Sequence, residues 1–164
     1  MAPLPEPCRR SGIVSGDGES SPTQLPDRRA LPRGIWCDRL RPLRILVVEN
    51  DDLIGSLLCD MLETMGHEIC SSENSRAKAV LAALRRRPGL MIVDAGLKGG
   101  AGEATVAEVL SHGAMPYLFT TCDCLRLRAS QPYAVMIQKP FHEAELARAI
   151  QQALAPWTFG PTSY

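Results

Sequence analysis

The sequence predicts an α/β domain, a doubly wound (βα)5 parallel sheet with strand order 2-1-3-4-5. Two observations lead to this fold class. Five short apolar segments between residues 43 and 138 have the length and composition of strands. Segments with apolar residues at helical spacing alternate with them, which is typical of a parallel sheet covered by helices on both faces. The connections are then expected to be right-handed crossovers.

The first half of this domain contributes two strands and two helices. The strands are predicted at "LRILVV", residues 43–48, and "HEICS", residues 67–71. A helix over residues 52–66 is predicted to end at Gly66, and one over residues 75–88 to stop at Pro88. The apolar residues predicted to face the core are Leu53, Ile54, Leu57, Leu58, Met61, Leu62, Met65, Val80, Leu81 and Leu84.

The second half repeats the alternation with three further strands. These strands are predicted at "LMIVD", "PYLFTT" and "AVMIQ", which are residues 90–94, 116–121 and 134–138. Helices are predicted at residues 102–113 and 142–154, the last with Leu146, Ile150 and Leu154 along one face. The segment "DCLRLRAS" is at best a short helix.

The predicted domain covers residues 43–155, between two segments without a core pattern. Residues 1–42 hold seven of the 13 prolines and almost no apolar periodicity, so we expect a disordered Pro/Arg-rich tail. Residues 156–164 are expected to form a short C-terminal tail. Because so few residues follow the last helix, the sequence predicts no further output domain.

Charge and hydropathy disfavour several functional classes. Residues 45–164 carry ten basic and 13 acidic groups, a poor electrostatic match to nucleic acid. No run of 18 apolar residues predicts a membrane span, and the N-terminus lacks the apolar core of a secretion signal. A cytoplasmic location is therefore expected.

The cysteines and histidines do not form a recognisable metal or catalytic motif. The six cysteines include no C-x-x-C pair, and we expect free, reduced thiols. His67, His112 and His142 lie at element ends and far apart, so none is predicted as a ligand or a phosphorylation site.

Polar residues follow four of the five predicted strands. Glu49 and Asn50 follow strand one, Asp94 ends strand three, Thr121 ends strand four and Lys139 follows strand five. In the order 2-1-3-4-5 these strands are neighbours, and functional sites of such sheets lie at the carboxyl ends. A carboxylate there can attack a phosphoryl group. Nearby acids can hold Mg²⁺, while a lysine and a hydroxyl can donate to phosphoryl oxygens.

Four motifs resemble the response regulator receiver domains of two-component signalling. The segment from "ILVVENDD" to "HEI" resembles the family's first strand, first helix and second strand. "VDAGLKGGAG" matches the pattern D-x-x-L-x-x-x-x-G, "PYLFTT" the fourth strand, and "QKPF" the Lys-Pro pair, where the family has a cis peptide before Pro140. The resemblance covers residues 43–154, with the motifs in the family's order and spacing.

The resemblance implies a role for each matching residue. Asp94 would be the phosphoacceptor, with Thr121 and Lys139 contacting the phosphoryl group. Mg²⁺ would be held by Glu49, Asn50, Asp94 and the backbone carbonyl of Gly96. The phosphoryl donor would be a sensor histidine kinase or a histidine phosphotransfer protein, and signalling would pass to an unknown downstream protein.

Three positions depart from the family pattern. Asn50 stands where the second acid is usual, which predicts weaker Mg²⁺ binding. Met136 replaces the switch aromatic, and Cys122 replaces a small residue. Asp51 is adjacent to Asn50, and the sequence leaves open whether its charge compensates.

These observations leave two functional hypotheses. The first is a stand-alone phosphoacceptor receiver, which is a signalling domain and not an enzyme acting on other substrates. The second is a degenerate receiver that binds proteins independently of phosphorylation. A flavin-binding protein and an aspartyl-nucleophile phosphatase are disfavoured, because "ENDD" supplies neither a phosphate-binding loop nor a D-x-D loop. A homodimer through strands four and five is left open.

Overall fold

The computed structural model describes residues 41–158, which form alternating strands and helices. The elements in chain order are β1 (Arg44–Val48), α1 (Asp52–Thr64), β2 (Glu68–Glu73), α2 (Arg76–Arg86), β3 (Leu90–Asp94), a 3₁₀ turn (Lys98–Gly100), α3 (Ala101–Ser111), β4 (Tyr117–Thr121), α4 (Cys124–Ser130), β5 (Met136–Gln138) and α5 (Glu143–Thr158).

The five strands form one parallel sheet in the order β2-β1-β3-β4-β5. The predicted fold class and strand order are therefore confirmed. Val48 pairs with Val93, Asp94 with Thr120, and Thr121 with Gln138. This register brings the carboxyl ends of β1, β3, β4 and β5 to one edge of the sheet.

Alternating strand residues contribute to two apolar layers, one on each face. Met91 and Val93 of β3 pack in the layer covered by α2 and α3. Leu90 and Ile92 pack in the layer with residues of α1 and α5. Because neighbouring strand residues point to opposite faces, a one-residue slip of β3 would reverse both sets. The core thus fixes the register that places Asp94 at the sheet edge.

Fewer residues of α1 and α2 face the core than the sequence predicted. In α1, Leu58 and Leu62 are buried, whereas Leu53, Ile54 and Leu57 are 71%, 37% and 57% exposed. The helix meets the sheet along a narrow stripe that also includes Gly55.

In α2 the buried stripe consists of Val80 and three alanines. Leu81 and Leu84, which were predicted to face inward, are exposed. The small alanine side chains let the helix backbone lie close to its neighbours, so the larger leucines remain at its flanks.

The element boundaries differ modestly from those predicted. β2 begins after His67 and extends to Glu73, and β5 has three residues where five were predicted. The short α4 helix is present, and Gly66 follows α1 with a φ of 90°, as a helix-ending glycine does. α5 continues to Thr158, four residues beyond the predicted helix end at residue 154. Residues 1–40 and 159–164 lie outside the described residues, and so do most of both predicted tails.

His67 is buried immediately before β2, at the amino-terminal end of the sheet. Its Nδ1 accepts a hydrogen bond of 3.4 Å from the backbone N–H of Leu43. Its Nε2 has no hydrogen-bond partner among the described residues. Burial lowers the pKa of His67 below its usual value of 6.5, because the charged imidazolium would lose hydration.

We predict that His67 makes the domain less stable in mild acid. The unfolded chain binds a proton near pH 6.5, whereas the folded chain binds it only at lower pH, so the free energy of unfolding falls as pH decreases below 6.5. The variant His67→Leu removes this contribution, and the exposed His142→Gln is its control. Urea unfolding between pH 7.5 and 5.5 measures the slope. An identical slope in wild type and His67→Leu would contradict the prediction.

Candidate functional site

The carboxyl edge of the sheet opens into a cavity of about 540 Å³. The lining includes all six residues that the sequence singled out, namely Glu49, Asn50, Asp94, Gly96, Thr121 and Lys139. They meet because β3 lies between β1 and β4, and the loop after β5 returns Lys139 to the same edge. The structure thus brings the predicted residues together, while their chemical roles stay predictions.

The ammonium group of Lys139 bridges two buried carboxylates. Its Nζ lies 2.6 Å from Oε2 of Glu49 and 3.2 Å from Oδ1 of Asp94. Burial alone would lower the pKa of Lys139. The hydrogen bond to Glu49 and the charges of Asp94 and Glu49 outweigh that effect and raise its pKa above 10.5. Lys139 is therefore cationic at neutral pH and neutralises part of the acidic edge.

Asp94 is held by its own strand end as well as by Lys139. Its Oδ1 accepts a hydrogen bond of 3.1 Å from the backbone N–H of Gly96. The carbonyl oxygen of Asp94 lies so close to Gly102, in the first turn of α3, that a Cβ atom at Gly102 would overlap it. Glycine at this position therefore lets α3 begin directly against the end of β3.

Glu49 and Asp51, which follow β1, accept hydrogen bonds from different parts of the backbone. Oε1 of Glu49 accepts a hydrogen bond of 3.2 Å from the backbone N–H of Asp51. The carboxylate of Asp51 caps α1 by accepting from the N–H groups of Leu53 and Ile54. Asp51 also lines the cavity, but its carboxylate is engaged at the helix start.

Thr121 connects the cavity to the start of α4. Its hydroxyl oxygen accepts a hydrogen bond of 3.1 Å from the backbone N–H of Asp123. The carboxylate of Asp123 in turn accepts from the backbone N–H of Arg126, which caps α4. A change at the Thr121 hydroxyl would therefore act directly on the first turn of α4.

Several other residues of the cavity wall were not singled out from the sequence. Glu103 of α3 and Arg126 and Leu127 of α4 line it, as does Asp123. None belongs to a motif. Their position depends on how α3 and α4 pack. Only Asp123, which lies shortly after strand four, could have been assigned to the cavity from its place in the sequence.

The oxygen donors suit a hard divalent cation, although the set carries few charges. Within residues 41–158, no group of three His, Cys, Asp or Glu side chains is arranged to hold a metal ion. The predicted ligands consist of two carboxylates, the Asn50 amide and a backbone carbonyl, and all four residues line the cavity. Oxygen ligands of this kind fit Mg²⁺.

Among the described cysteines and histidines, Cys122 lines this cavity. Cys59, Cys70, Cys122 and Cys124 are free thiols, as predicted, whereas Cys8 and Cys37 lie outside the described residues. Cys122 is exposed at the cavity wall. None of the three histidines lines the cavity, and His142 pairs with Glu145 at 3.2 Å.

Comparison with known proteins identifies the fold and the family. No family model matches the chain. The chain is 34% identical over 114 residues to the phyllosphere-induced regulator PhyR of Methylorubrum extorquens, covering 67% of this chain and 43% of that protein. The solution structure of the PhyR response regulator receiver domain of Erythrobacter litoralis superposes with a TM-score of 0.65 and 29% identity, covering 75% of this chain and 97% of that one. The chain contains a response regulator receiver domain.

The chain spans less than two thirds of the length of the curated relatives it matches. The anti-anti-sigma factor PhyR of Bartonella quintana, in a mutant crystal structure, has a TM-score of 0.69 at 24% identity, over 76% of this chain and 53% of that one, and so supports the fold alone.

The receiver assignment is consistent with the details of the fifth strand. The peptide bond between Lys139 and Pro140 is cis, as the resemblance implied. Met136 occupies the aromatic position of the family and pairs with Phe119 on β4.

No helix among the described residues has the length and apolar character needed to cross a membrane.

We predict that Lys139→Met destabilises the receiver domain more than Asp94→Asn does. Removing the ammonium group leaves the carboxylates of Glu49 and Asp94 buried without their cation, which costs about 1–3 kcal/mol of unfolding free energy. Asp94→Asn keeps the Lys139–Glu49 pair and a hydrogen-bond acceptor, so a change below about 1 kcal/mol is expected. Urea denaturation compares the two variants. Equal destabilisation would show that the bridge does not hold the strand ends together.

Proposed function

We propose that this receiver accepts a phosphoryl group on Asp94 and signals through protein–protein contacts. The observation that supports this most directly is the position of the Asp94 carboxylate. It ends the central strand, is 7% exposed, and lies 3.2 Å from the Lys139 ammonium in a cavity that also contains the Thr121 hydroxyl. A nucleophile, a fixed cation and a hydrogen-bonding hydroxyl are the groups that phosphoryl transfer to a carboxylate needs.

The reaction is a displacement at phosphorus. A carboxylate oxygen of Asp94 forms a bond to the phosphorus atom, and the bond between phosphorus and the donor atom breaks. The electron pair of that bond leaves with the donor, which is the imidazole nitrogen of a phosphohistidine or the acetate of acetyl phosphate. Lys139 stabilises the charge on the transferring oxygens, and Thr121 can reorient its hydroxyl toward the product. Water later hydrolyses the acyl phosphate. We propose no chemistry on other substrates.

The proposed Mg²⁺ ligands are Glu49, Asn50, Asp94 and the carbonyl of Gly96. Bound Mg²⁺ would offset the negative charge of the phosphoryl oxygens. Asn50 supplies an oxygen without a charge, so this set holds the cation less strongly than one with a third carboxylate. Asp51 does not replace that charge at close range, because its carboxylate caps α1.

The proposed partners follow from the receiver class. A sensor histidine kinase or a histidine phosphotransfer protein supplies the phosphoryl group, and a downstream protein reads the state of the domain. We propose neither a nucleic-acid nor a membrane role for this domain. Three further statements stay predictions. They are that the domain acts without an output domain, that it is cytoplasmic, and that it forms a homodimer through β4 and β5.

A degenerate receiver is the second candidate, and the contacts of Glu49 favour it. Its two carboxylate oxygens are engaged by Lys139 and by the backbone N–H of Asp51. Because Asn50 adds no negative charge beside Glu49, this edge of the sheet can serve as a protein-binding surface without a metal ion. Mg²⁺ binding separates the two candidates, because only the phosphoacceptor needs it.

Incubation with acetyl phosphate and Mg²⁺ is expected to add one phosphoryl group to the wild-type chain. Intact-mass spectrometry measures the gain, and Asp94→Ala serves as the control that lacks the nucleophile. The gain is expected to disappear in that variant and after chelation of Mg²⁺. Absence of phosphorylation with acetyl phosphate and with a panel of histidine kinases would favour the degenerate receiver.

Asn50→Asp is expected to tighten Mg²⁺ binding by about tenfold, because it adds a negative charge to the ligand set. Asp51→Asn is the matched control. It removes a neighbouring charge, while Asn retains the ability to cap α1. Isothermal titration with Mg²⁺ measures both variants. If Asp51→Asn weakens binding as much as Asn50→Asp strengthens it, Asp51 takes part in metal binding after all.

A further inference from the structure

Arg126 is a cation of the cavity wall that has no role in the reaction proposed above. It lies in the first turn of α4, and its side chain is exposed. It lines the same cavity as Asp94, Thr121 and Lys139. Within residues 41–158, its guanidinium forms no ion pair.

The charge of the cavity explains why a second cation matters there. Among the described lining residues, five carboxylates oppose the two cations Lys139 and Arg126, which leaves a net charge of −3. Lys139 already lies between Glu49 and Asp94. Conversion of a carboxylate into an acyl phosphate adds about one further negative charge near neutral pH. Asn50 reduces the charge available to hold Mg²⁺, so a protein cation is needed more here than in a site with three acids.

Asp123 and Glu103, two acids of the cavity wall, accept hydrogen bonds from groups other than the Arg126 guanidinium. The Asp123 carboxylate accepts the backbone N–H of Arg126 at 2.9 Å. Oε2 of Glu103 accepts from Nε2 of Gln131 at 3.3 Å. The Arg126 guanidinium is therefore available to an anion that arrives in the cavity.

The backbone at Arg126 is also connected to Thr121. The Thr121 hydroxyl accepts from the backbone N–H of Asp123, and Asp123 caps the helix at Arg126. An anion on Asp94 would thus meet two groups that belong to one short chain segment. Contacts to both would order the start of α4 around the phosphoryl group.

We propose that Arg126 is a phosphoryl-binding residue, whose guanidinium donates hydrogen bonds to the non-bridging oxygens of the phosphoryl group on Asp94. The proposal rests on the proposed function and adds to it a residue outside the four receiver motifs. Arginine suits this role because its planar fork can bind two oxygens of one phosphoryl group. It also gives α4 a direct contact that exists only in the phosphorylated state.

The test uses beryllofluoride, which mimics a phosphoryl group on a carboxylate, in the presence of Mg²⁺. Arg126→Gln is expected to weaken beryllofluoride binding by about tenfold, because a charge-assisted contact is lost. Arg126→Lys keeps the charge and is expected to recover part of the affinity. Arg128→Gln removes a neighbouring charge on the same helix, outside the cavity wall, and is expected to leave the affinity unchanged. Binding is measured by amide shifts in NMR spectra of the full chain.

Each outcome decides a separate point. Equal affinity of Arg126→Gln and wild type would overturn the role of Arg126 and leave Asp94 as acceptor intact. Equal losses in Arg126→Gln and Arg128→Gln would show only a general charge effect and would also overturn it. Unchanged binding of Mg²⁺ alone in Arg126→Gln is expected, and its loss would indicate a structural role instead. A wild-type chain that neither binds beryllofluoride nor accepts phosphate would overturn both proposals.

Discussion

The ammonium group of Lys139 joins the ends of three strands of the sheet. Glu49 follows β1, Asp94 ends β3 and Lys139 follows β5, yet their charged groups lie within 3.2 Å of the shared nitrogen. Two carboxylates with so little exposure would be costly without a cation between them. The position of Asp94, the geometry of the cavity and the proposed chemistry all depend on this bridge.

The apolar core makes the bridge possible by fixing the strand register. Residues of β3 alternate between two buried layers, and a one-residue slip would exchange the layers, so the core opposes a slip that would move Asp94 from the edge. At the same edge, Gly102 lets α3 approach the end of β3, and Asp123 holds the start of α4 next to Thr121. A change of charge at Asp94 would therefore be felt by α4 through short, direct contacts.

The fold and the residues of the strand ends could be predicted because both depend on local sequence. Apolar runs of strand length predicted the sheet. The polar residues at the ends of these runs predicted the site residues Glu49, Asp94 and Lys139. The helix faces were harder, because Leu53 and Leu81 share the spacing of the buried residues but lie outside the narrow contact stripe. Arg126 could not be found from the sequence, since its place in the cavity wall depends on the packing of α4 against the sheet. The capping role of Asp51 likewise required the backbone geometry after β1.

The central claim is that the cavity makes Asp94, and no neighbouring acid, the phosphoacceptor. Borohydride reduction of the phosphorylated chain converts an aspartyl phosphate into homoserine, which peptide sequencing by mass spectrometry locates. The account predicts homoserine at position 94 alone. Both carboxylate oxygens of Glu49 accept hydrogen bonds and Asp51 caps α1, whereas Lys139 and Gly96 contact Asp94 through Oδ1. Reduction at Glu49 or Asp51, or phosphorylation without a reduced residue at position 94, would contradict it.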